Sequence, residues 1–376
     1  MKRIISVCLL LCIMTGGVGY ADDMNLSAKS AILVERTSGQ ILYEQNSHER
    51  LPMASVTKVM TMLLGIEAVD SGKITMDDMV TVSEYASSMT GSRVFLSVNE
   101  TISVSDLFKA IAVASGNDAA VALAEYLAGS ESNFVAMMNK RAQDLGLADT
   151  NFVNCNGLPA ENHYSSAYDL MVMSRELLSH DSIRPFLTIW MDSLRDGSFT
   201  LANTNKLIRF YEGATGIKTG STDEALFCMS ASAMRDGMEL IAVVLGAPTS
   251  KQRFSDASSL LNMGFASYGV EQGVTKGEEI SVIPVEKGVE KRVSVVAEDD
   301  FSAVVRKEQK GEVTQEIKLP KQITAPITKG QSIGEISFYL DGKKLGATPL
   351  VSANDVKKAG MFQMYGTVLR RWIDVK

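Results

Sequence analysis

Three short motifs constrain the fold of this 376-residue chain most strongly, because they indicate one site built from distant segments. They are Ser55-Val56-Thr57-Lys58, Ser115-Gly116-Asn117 and Lys218-Thr219-Gly220. Each is weak alone, since a Ser and a Lys three residues apart recur by chance and Ser-x-Asn returns at Ser352-Ala353-Asn354. All three occur in order, each in a fitting local context, so the set predicts a site with a serine nucleophile.

Ser55 and Lys58 are the predicted nucleophile and base. An irregular segment before Ser55 gives way to a helix, which puts Lys58 one turn along on the same face. A serine needs a neighbour to take its proton, and no Gly-x-Ser-x-Gly elbow offers a histidine-based alternative. An ordinary lysine pKa of about 10.4 leaves a deficit of roughly 4 to 5 kcal/mol at pH 7, which burial and a nearby cation must reduce. Lys218 is the predicted cation.

The other two motifs are predicted to serve the same chemistry. Ser115-Gly116-Asn117 lies between helical patterns at about 105–114 and 118–128, where its hydroxyl and amide suit proton relay and substrate orientation. Lys218-Thr219-Gly220 ends a strand-like run, and its glycine lets a substrate backbone approach an edge strand closely. The alternatives are a helix N-cap at Ser55, a turn and a strand end, and the joint occurrence disfavours them.

Residues 22–275 alternate strand-like and helical patterns, which predicts a sheet backed by helices. Residues 30–44 read as a hairpin with its turn at Thr37-Ser38-Gly39. Two apolar strands, 226–234 and 238–245, are joined by Arg235-Asp236-Gly237, a turn of the Asp-Gly kind. Further helices are predicted at 131–145, 167–179 and 251–263.

The last hundred residues have a different texture. Residues 276–358 carry short alternating segments separated by turns, which predicts a small β-sandwich domain. Residues 359–376 are predicted to be an amphipathic helix that attaches the protein to a membrane, because its apolar side chains, Trp372 among them, fall on one face beside basic residues. A helix docked on the protein itself or on a partner is the alternative that stays open.

The N-terminus predicts export across the cytoplasmic membrane. Met1-Lys2-Arg3 is followed by an apolar run over 4–14 and by small residues up to Ala21, the order of a cleaved signal peptide over 1–21. Its removal leaves 35 basic against 44 acidic residues, a charge of −9. This balance argues against a nucleic-acid partner, which needs clustered positive charge.

The remaining reactive residue types point to no metal and no cofactor. The chain has three His and no paired ligand spacing. Cys8 and Cys12 leave with the signal peptide, while Cys155 and Cys228 either pair in an oxidising compartment or are small buried hydrophobes. The sequence leaves both possibilities open.

With these three motifs in order, the chain resembles the low-molecular-mass penicillin-binding proteins that act as D-alanyl-D-alanine carboxypeptidases. The resemblance covers nearly the whole chain and includes four further stretches: Asn154-Cys155-Asn156-Gly157-Leu158, His163-Tyr164-Ser165-Ser166-Ala167-Tyr168-Asp169, Asn203-Thr204-Asn205, and Arg253 after Gly246-Ala247-Pro248. It implies an α/β (α+β) β-lactamase-like domain, an antiparallel sheet with helices, followed by the family's small β domain and amphipathic tail.

The resemblance also implies catalytic roles. Ser55 would attack the carbonyl between two terminal D-alanines of a peptidoglycan stem peptide, with Lys58 as proton acceptor and an acyl-enzyme as product. The main-chain amides of Ser55 and Thr222 would stabilise the oxyanion. Ser115 would pass the proton to the leaving amine, and water would then release the shortened peptide.

Substrate binding is assigned in the same way. Asn117 would hold the substrate's amide, Gly220 would admit its backbone, and Lys218, Thr219 and Arg253 would attract its terminal carboxylate. β-Lactams would bind covalently as inhibitors.

Some residues depart from the family's pattern or have an open role. Ser221 follows Gly220 where relatives often carry a bulkier residue, and Ser165-Ser166-Ala167 replaces Ser-Thr-Ala. His163 is either a structural hydrogen-bonding residue or a catalytic one.

Two other functions compete with the carboxypeptidase. A class A β-lactamase would need a glutamate that activates water, and no Glu-x-x-x-Asn segment lies between the second and third motifs. A non-catalytic peptidoglycan-binding protein would not need Ser55, Lys58 and Lys218 intact. The expected location is the outer face of the cytoplasmic membrane.

Overall fold

The structure is a computed structural model that describes residues 24–360. The predicted signal peptide and nearly all of the predicted C-terminal helix lie outside the described residues. Within 24–360, no helix combines the length and apolar character that crossing a membrane requires.

The described elements are numbered in chain order. The strands are β1 Ser30–Glu35, β2 Ile41–Gln45, β3 Met79–Thr81, β4 Thr101–Ser103, β5 Met191–Leu194, β6 Phe199–Ala202, β7 Ala214–Thr222, β8 Leu226–Arg235, β9 Met238–Ala247, β10 Tyr268–Val274, β11 Glu279–Glu286, β12 Arg292–Ala297, β13 Phe301–Arg306, β14 Thr314–Lys318, β15 Ile323–Thr324, β16 Ser332–Leu340 and β17 Lys343–Ser352. The helices are α1 Lys58–Asp70, α2 Glu84–Ser87, α3 Val104–Ala112, α4 Asn117–Ala128, α5 Glu131–Asp144, α6 Ala167–Leu177, α7 Arg184–Leu187, α8 Leu207–Phe210 and α9 Ser250–Ser267.

An antiparallel sheet of order β2-β1-β9-β8-β7 divides the first domain into two helical layers. Every residue of β9 is buried, because its two faces meet different cores. Ile241, Val243 and Leu245 join the core that contains α1, α3, α4 and α6, whereas Leu240 and Val244 pack under α9. This alternation follows from the two-residue period of a strand. The predicted sheet backed by helices is confirmed.

The two predicted hairpins are also confirmed. β1 and β2 pair with the turn at residues 36–40, and β8 and β9 are joined through Asp236 and Gly237. These two residues have φ of 49° and 77°, the left-handed pair that a two-residue hairpin turn requires. The predicted helices occur within a few residues of their expected bounds. The paired strands β3 with β4 and β5 with β6 have only three or four residues each, too few to leave a periodic signal.

Helix α1 is the centre of the larger core. Most of its residues are buried, on every side, because it contacts α3, α4, α5 and α6. It therefore has no apolar stripe of the kind that marks a surface helix. Gly65 lets the ring of Phe108 pack against the helix: a Cβ at this position would lie 2.9 Å from that ring.

The second domain is all-β, as predicted. Its larger sheet has the order β14-β16-β17-β12-β11-β15, and its core includes Val293, Val295, Ile336 and Leu350. β10 pairs with β13 in a separate two-stranded sheet, so the strand that precedes residue 275 hydrogen-bonds to the β domain. The expected division at 275 stays a prediction of the sequence.

Candidate active site

The predicted site residues come from four chain segments that meet at the N-terminal end of α1. Ser55 lies in a 3-10 turn, Ala54–Thr57, that leads directly into Lys58. Ser115 lies in the loop between α3 and α4, and Lys218 to Thr222 form the second half of β7. β7 is an edge strand of the sheet, as the strand prediction required, and it contacts the turn that carries Ser55.

Lys58 contacts residues from three parts of the chain. Its Nζ lies 3.0 Å from Ser55 Oγ, 2.6 Å from Asn117 Oδ1 and 2.6 Å from the carbonyl oxygen of Asn156. The two oxygens of Asn117 and Asn156 have no proton to give, so each accepts a hydrogen from Nζ. In the neutral amine these two bonds use both hydrogens, and the lone pair remains for the hydroxyl of Ser55.

Burial sets the proton affinity of Lys58. The side chain is fully buried, and this loss of hydration lowers its pKa from 10.5 to about 7, against smaller opposing effects of Cys155 and Asp118. The sequence analysis predicted that the charge of Lys218 would also lower the pKa of Lys58, but burial is the largest cause of the lowering. Ser55 itself is half-buried, so the predicted nucleophile is partly exposed while its predicted base is fully buried.

Asn117 is held in the orientation that serves Lys58. Its Nδ2 donates to the carbonyl oxygen of Thr90 at 2.7 Å, which fixes Oδ1 toward Lys58. The adjacent Asp118 is fully buried and accepts hydrogen bonds from the backbone N–H groups of Val94 and Leu96. The loop over residues 90–96 is thereby tied to the start of α4.

Ser115 occupies a strained position in the same loop. It is almost fully buried and has a φ of 63°, a left-handed conformation that residues with a Cβ rarely adopt. The loop is fixed on both sides, since Val113 O accepts from Thr204 N at 3.1 Å and Asn117 N donates to Ser92 O at 2.8 Å. The strain is therefore maintained by tertiary contacts.

The β7 side of the site carries the cations. Lys218 is buried and donates to the carbonyl oxygen of Thr219, and burial lowers its pKa well below the ordinary value, with further lowering by Lys58 and Arg253. Thr219 Oγ1 donates to Thr204 Oγ1 at 2.7 Å. Thr222, at the end of the strand, is half-buried, and its Oγ1 accepts from Ala225 N.

Arg253 reaches this strand from α9. Its Nη1 donates to the carbonyl oxygens of Gly220 at 3.1 Å and Cys228 at 3.4 Å, and its guanidinium lies over the Phe254 ring at 4.5 Å. Burial lowers its pKa from 12.5 to about 10. Its Nε is buried without a hydrogen-bond partner in the described part of the chain, so one donor beside β7 is unpaired.

Two glycines enclose the peptide group between Ala54 and Ser55. A Cβ at Gly157 would overlap the Ala54 carbonyl and lie 2.8 Å from Ser55 N. A Cβ at Gly220 would lie 2.8 Å from the same nitrogen. Ala54 has a φ of 48°, so the turn that carries Ser55 is strained and tightly packed. Gly220 was predicted from its motif, whereas Gly157 and Asn156 belong to a stretch whose only signal was the family resemblance.

The structure gives the contacts of His163 and the state of the two cysteines, whose roles the sequence left open. His163 is buried and hydrogen-bonds Thr57 and Val153. Cys155 and Cys228 are separate buried thiols in the described chain, and burial raises the pKa of both.

One group of possible metal ligands occurs in the described residues. Glu67, Glu176 and His180 lie near the end of α1 remote from Lys58. Arg141 Nη2 lies 2.6 Å from an oxygen of each glutamate, so an internal cation already neutralises them.

Comparison with known proteins agrees with this geometry. The sequence profile of the D-alanyl-D-alanine carboxypeptidase family matches residues 18–249, and that of the C-terminal domain of penicillin-binding protein 5 matches residues 269–358. D-alanyl-D-alanine carboxypeptidase DacF of Bacillus subtilis is 43% identical over the full length of both chains.

Solved structures give the same result. Penicillin-binding protein 5 from Haemophilus influenzae superposes with a TM-score of 0.77 at 35% identity, covering 89% of this chain and 98% of that one. Penicillin-binding protein D2 from Listeria monocytogenes in its ampicillin-bound form has a TM-score of 0.60 at 33% identity, covering 65% and 99%. The fold and site define a penicillin-recognising serine enzyme.

The chain belongs to the D-alanyl-D-alanine carboxypeptidase family of low-molecular-mass penicillin-binding proteins. Its activity is that of a serine-type D-alanyl-D-alanine carboxypeptidase, so the enzyme that the family resemblance implied is confirmed. Neither the β-lactamase nor the non-catalytic alternative is favoured.

The enclosed peptide gives a prediction for Gly157→Ala. The new methyl group would displace the Ala54–Ser55 peptide, so the rate of penicillin acylation should fall at least tenfold. The free energy of unfolding should fall by about 1 to 3 kcal/mol more than a left-handed alanine alone would lower it. Gly129→Ala is the matched control, because Gly129 has a φ of 77° with no atom within 4 Å of its added Cβ. Urea unfolding and stopped-flow acylation measure both variants. Equal effects of the two substitutions would contradict the packing account.

Proposed function

We propose that Ser55 is the nucleophile that removes the terminal D-Ala of peptidoglycan pentapeptide stems, with Lys58 as its base. The observation that carries the proposal is the 3.0 Å contact between Lys58 Nζ and Ser55 Oγ, with both remaining contacts of Nζ made to pure acceptors. The neutral amine takes the Ser55 proton as Oγ attacks the carbonyl between the two D-alanines.

The tetrahedral intermediate then collapses to an ester on Ser55. The oxyanion accepts hydrogen bonds from the main-chain N–H groups of Ser55 and Thr222. Ser115 passes a proton from Lys58 to the nitrogen of the leaving D-alanine, which makes the C–N bond break. Water hydrolyses the ester in a second cycle that uses Lys58 as base again.

Substrate binding is assigned to β7 and its neighbours. The substrate backbone lies along the β7 edge at Gly220, and Asn117 contacts its amide. Lys218, Thr219 and Arg253 hold the terminal carboxylate. Within residues 24–360 neither Lys218 nor Arg253 forms an ion pair with a carboxylate of the protein, so the substrate would supply the opposite charge. An incoming carboxylate also raises the pKa of Lys218, because it offsets the burial that lowers that pKa.

β-Lactams act as covalent inhibitors in this proposal. The strained amide of the lactam ring is attacked by Ser55 as the peptide would be, but the leaving amine stays tethered to the acyl group. The relative from Listeria monocytogenes has a structure in an ampicillin-bound form, which supports binding of β-lactams by this chain.

The rest of the chain is assigned to export and attachment. We propose a signal peptide over 1–21, a catalytic domain over 22–275, a β-sandwich domain over 276–358 and an amphipathic anchor over 359–376. The catalytic domain would then act at the outer face of the cytoplasmic membrane. The basic and apolar pattern of the last segment supports attachment to an anionic bilayer.

Mass spectrometry after incubation with a penicillin tests the nucleophile. The protein should gain the full mass of the antibiotic on the peptide that contains Ser55, and Ser55→Ala should gain none. Ser71→Ala, at the other end of α1, is the matched control and should be acylated at the rate of the unchanged protein. An adduct on another serine would contradict the proposal.

Arg253→Gln tests the carboxylate site. Loss of the cation should raise KM for a peptide ending in D-Ala-D-Ala about tenfold or more, since a hydrogen bond to a charged group contributes about 1.5 to 3 kcal/mol. A substrate with an amidated C-terminus should not respond to the same substitution. Lys251→Gln removes an exposed charge from the same helix and is the control. Equal effects on the free and amidated substrates would refute the assignment.

A further inference from the structure

We infer that Thr57 and His163 form a hydrogen-bonded relay that orients the Ala54–Ser55 peptide group for oxyanion stabilisation. The inference rests on the proposed role of Ser55. It assigns a positioning function to Thr57, which lies within the first motif but had no role there, and to His163. Neither side chain has to touch the substrate for this function.

The direction of each hydrogen bond is fixed from one end of the relay to the other. Val153 N donates to His163 Nδ1 at 3.0 Å, so this ring nitrogen carries no proton and the neutral ring holds its proton on Nε2. Nε2 then donates to Thr57 Oγ1 at 2.8 Å. The hydroxyl proton of Thr57 is left to donate to the carbonyl oxygen of Ala54 at 2.8 Å.

The surroundings keep the relay in this state. Thr57 is 1% exposed and His163 is 7% exposed, so water does not compete for either hydrogen bond. Burial lowers the pKa of His163 to about 4, against a smaller opposing effect of Glu131, and the ring is therefore neutral at ordinary pH. The Phe152 ring packs edge-on against the imidazole at 6.1 Å and restricts its rotation.

The carbonyl at the end of the relay determines where the Ser55 N–H points. A trans peptide is planar, with its C=O and N–H directed to opposite sides. A hydrogen bond that holds the Ala54 carbonyl toward Thr57 therefore turns the Ser55 N–H the other way. Oxyanion donors act through such preorganised directions, since they need no reorientation during the reaction.

Two features show why the Ala54–Ser55 peptide group needs a hydrogen bond to hold its orientation. Ala54 has a φ of 48°, which an alanine leaves readily unless tertiary contacts hold it. Gly157 and Gly220 restrict the position of the peptide by packing against it, but neither fixes its rotation through a hydrogen bond. The hydroxyl of Thr57 supplies that bond within the same turn.

A purely structural role would have a different signature. If Thr57 and His163 only stabilised the fold, their loss would lower the melting temperature and leave the chemistry of the folded fraction unchanged. A positioning role predicts a slower acylation step with unchanged initial binding, and weaker hydrogen bonds to the acyl carbonyl.

The test compares Thr57→Val with Thr57→Ser in the purified protein. Valine keeps the shape of threonine but has no hydroxyl, so its acylation rate constant with a penicillin should fall about 10- to 100-fold, somewhat less than loss of a whole oxyanion donor. The dissociation constant of the initial complex should change less than twofold. Serine keeps the hydroxyl and should regain most of the rate.

Infrared spectroscopy of the acyl-enzyme adds a direct readout. With a penicillin labelled with ¹³C at the lactam carbonyl, the ester band of Thr57→Val should move to higher wavenumber, because the oxyanion donors bind the carbonyl less well. The pair His163→Leu and His163→Gln should repeat the pattern, since glutamine offers both an acceptor and a donor. This second pair decides the question if Thr57→Val fails to fold.

The outcomes separate this inference from the proposed function. Absence of a Ser55 adduct in the unchanged protein would overturn the proposed function itself. A normal adduct, with Thr57→Val acylating at the unchanged rate and with an unshifted ester band, would overturn only the relay. Equal losses in Thr57→Val and Thr57→Ser would also overturn it, because the hydroxyl would then have no special part.

Discussion

The burial of one lysine amine is the constraint on which the rest of this site depends. Lys58 lies at the first turn of α1, a helix whose residues are mostly buried, and its Nζ contacts Ser55, Asn117 and Asn156. A buried ammonium is costly unless it is paired, so the group becomes a base near neutral pH. The acceptors are an amide oxygen and a main-chain carbonyl oxygen, which stabilise the amine without the full charge of a carboxylate.

The surrounding fold supplies each of these partners from a different direction. The loop after α3 brings Asn117, the loop before α6 brings Asn156, and the edge strand β7 closes the far side with Gly220. None of these loops is held by its own sequence alone. Asp118 ties the loop over 90–96 to α4, and Thr204 connects β7 to the end of α3.

The sequence predicts the residues whose side-chain chemistry the proposed mechanism uses. Ser55, Lys58 and Asn117 follow from motif spacing, and the hairpin at Asp236-Gly237 follows from its turn residues. The contact between Lys58 and the carbonyl oxygen of Asn156 could not be predicted from the sequence, because every residue type has a main-chain oxygen. The role of Gly157 could not be predicted either. A glycine is required there because a Cβ would overlap Ala54, about a hundred residues earlier in the chain. His163 stayed ambiguous in the sequence because its partners, Thr57 and Val153, are set by tertiary structure.

The net negative charge of the chain does not reveal its local positive charges. Lys58 and Arg253 lie close enough to Lys218 to lower its pKa, and a substrate carboxylate is proposed to bind beside Lys218 and Arg253. Burial is expected to make a large share of Lys58 a neutral amine near pH 7, and NMR titration of protein labelled with ¹³Cε-lysine tests this expectation most directly. One resonance, absent in Lys58→Arg and retained in Lys218→Arg, should titrate with a midpoint near pH 7. A Lys58 resonance that titrates only above about pH 9, like an exposed lysine, would contradict the account.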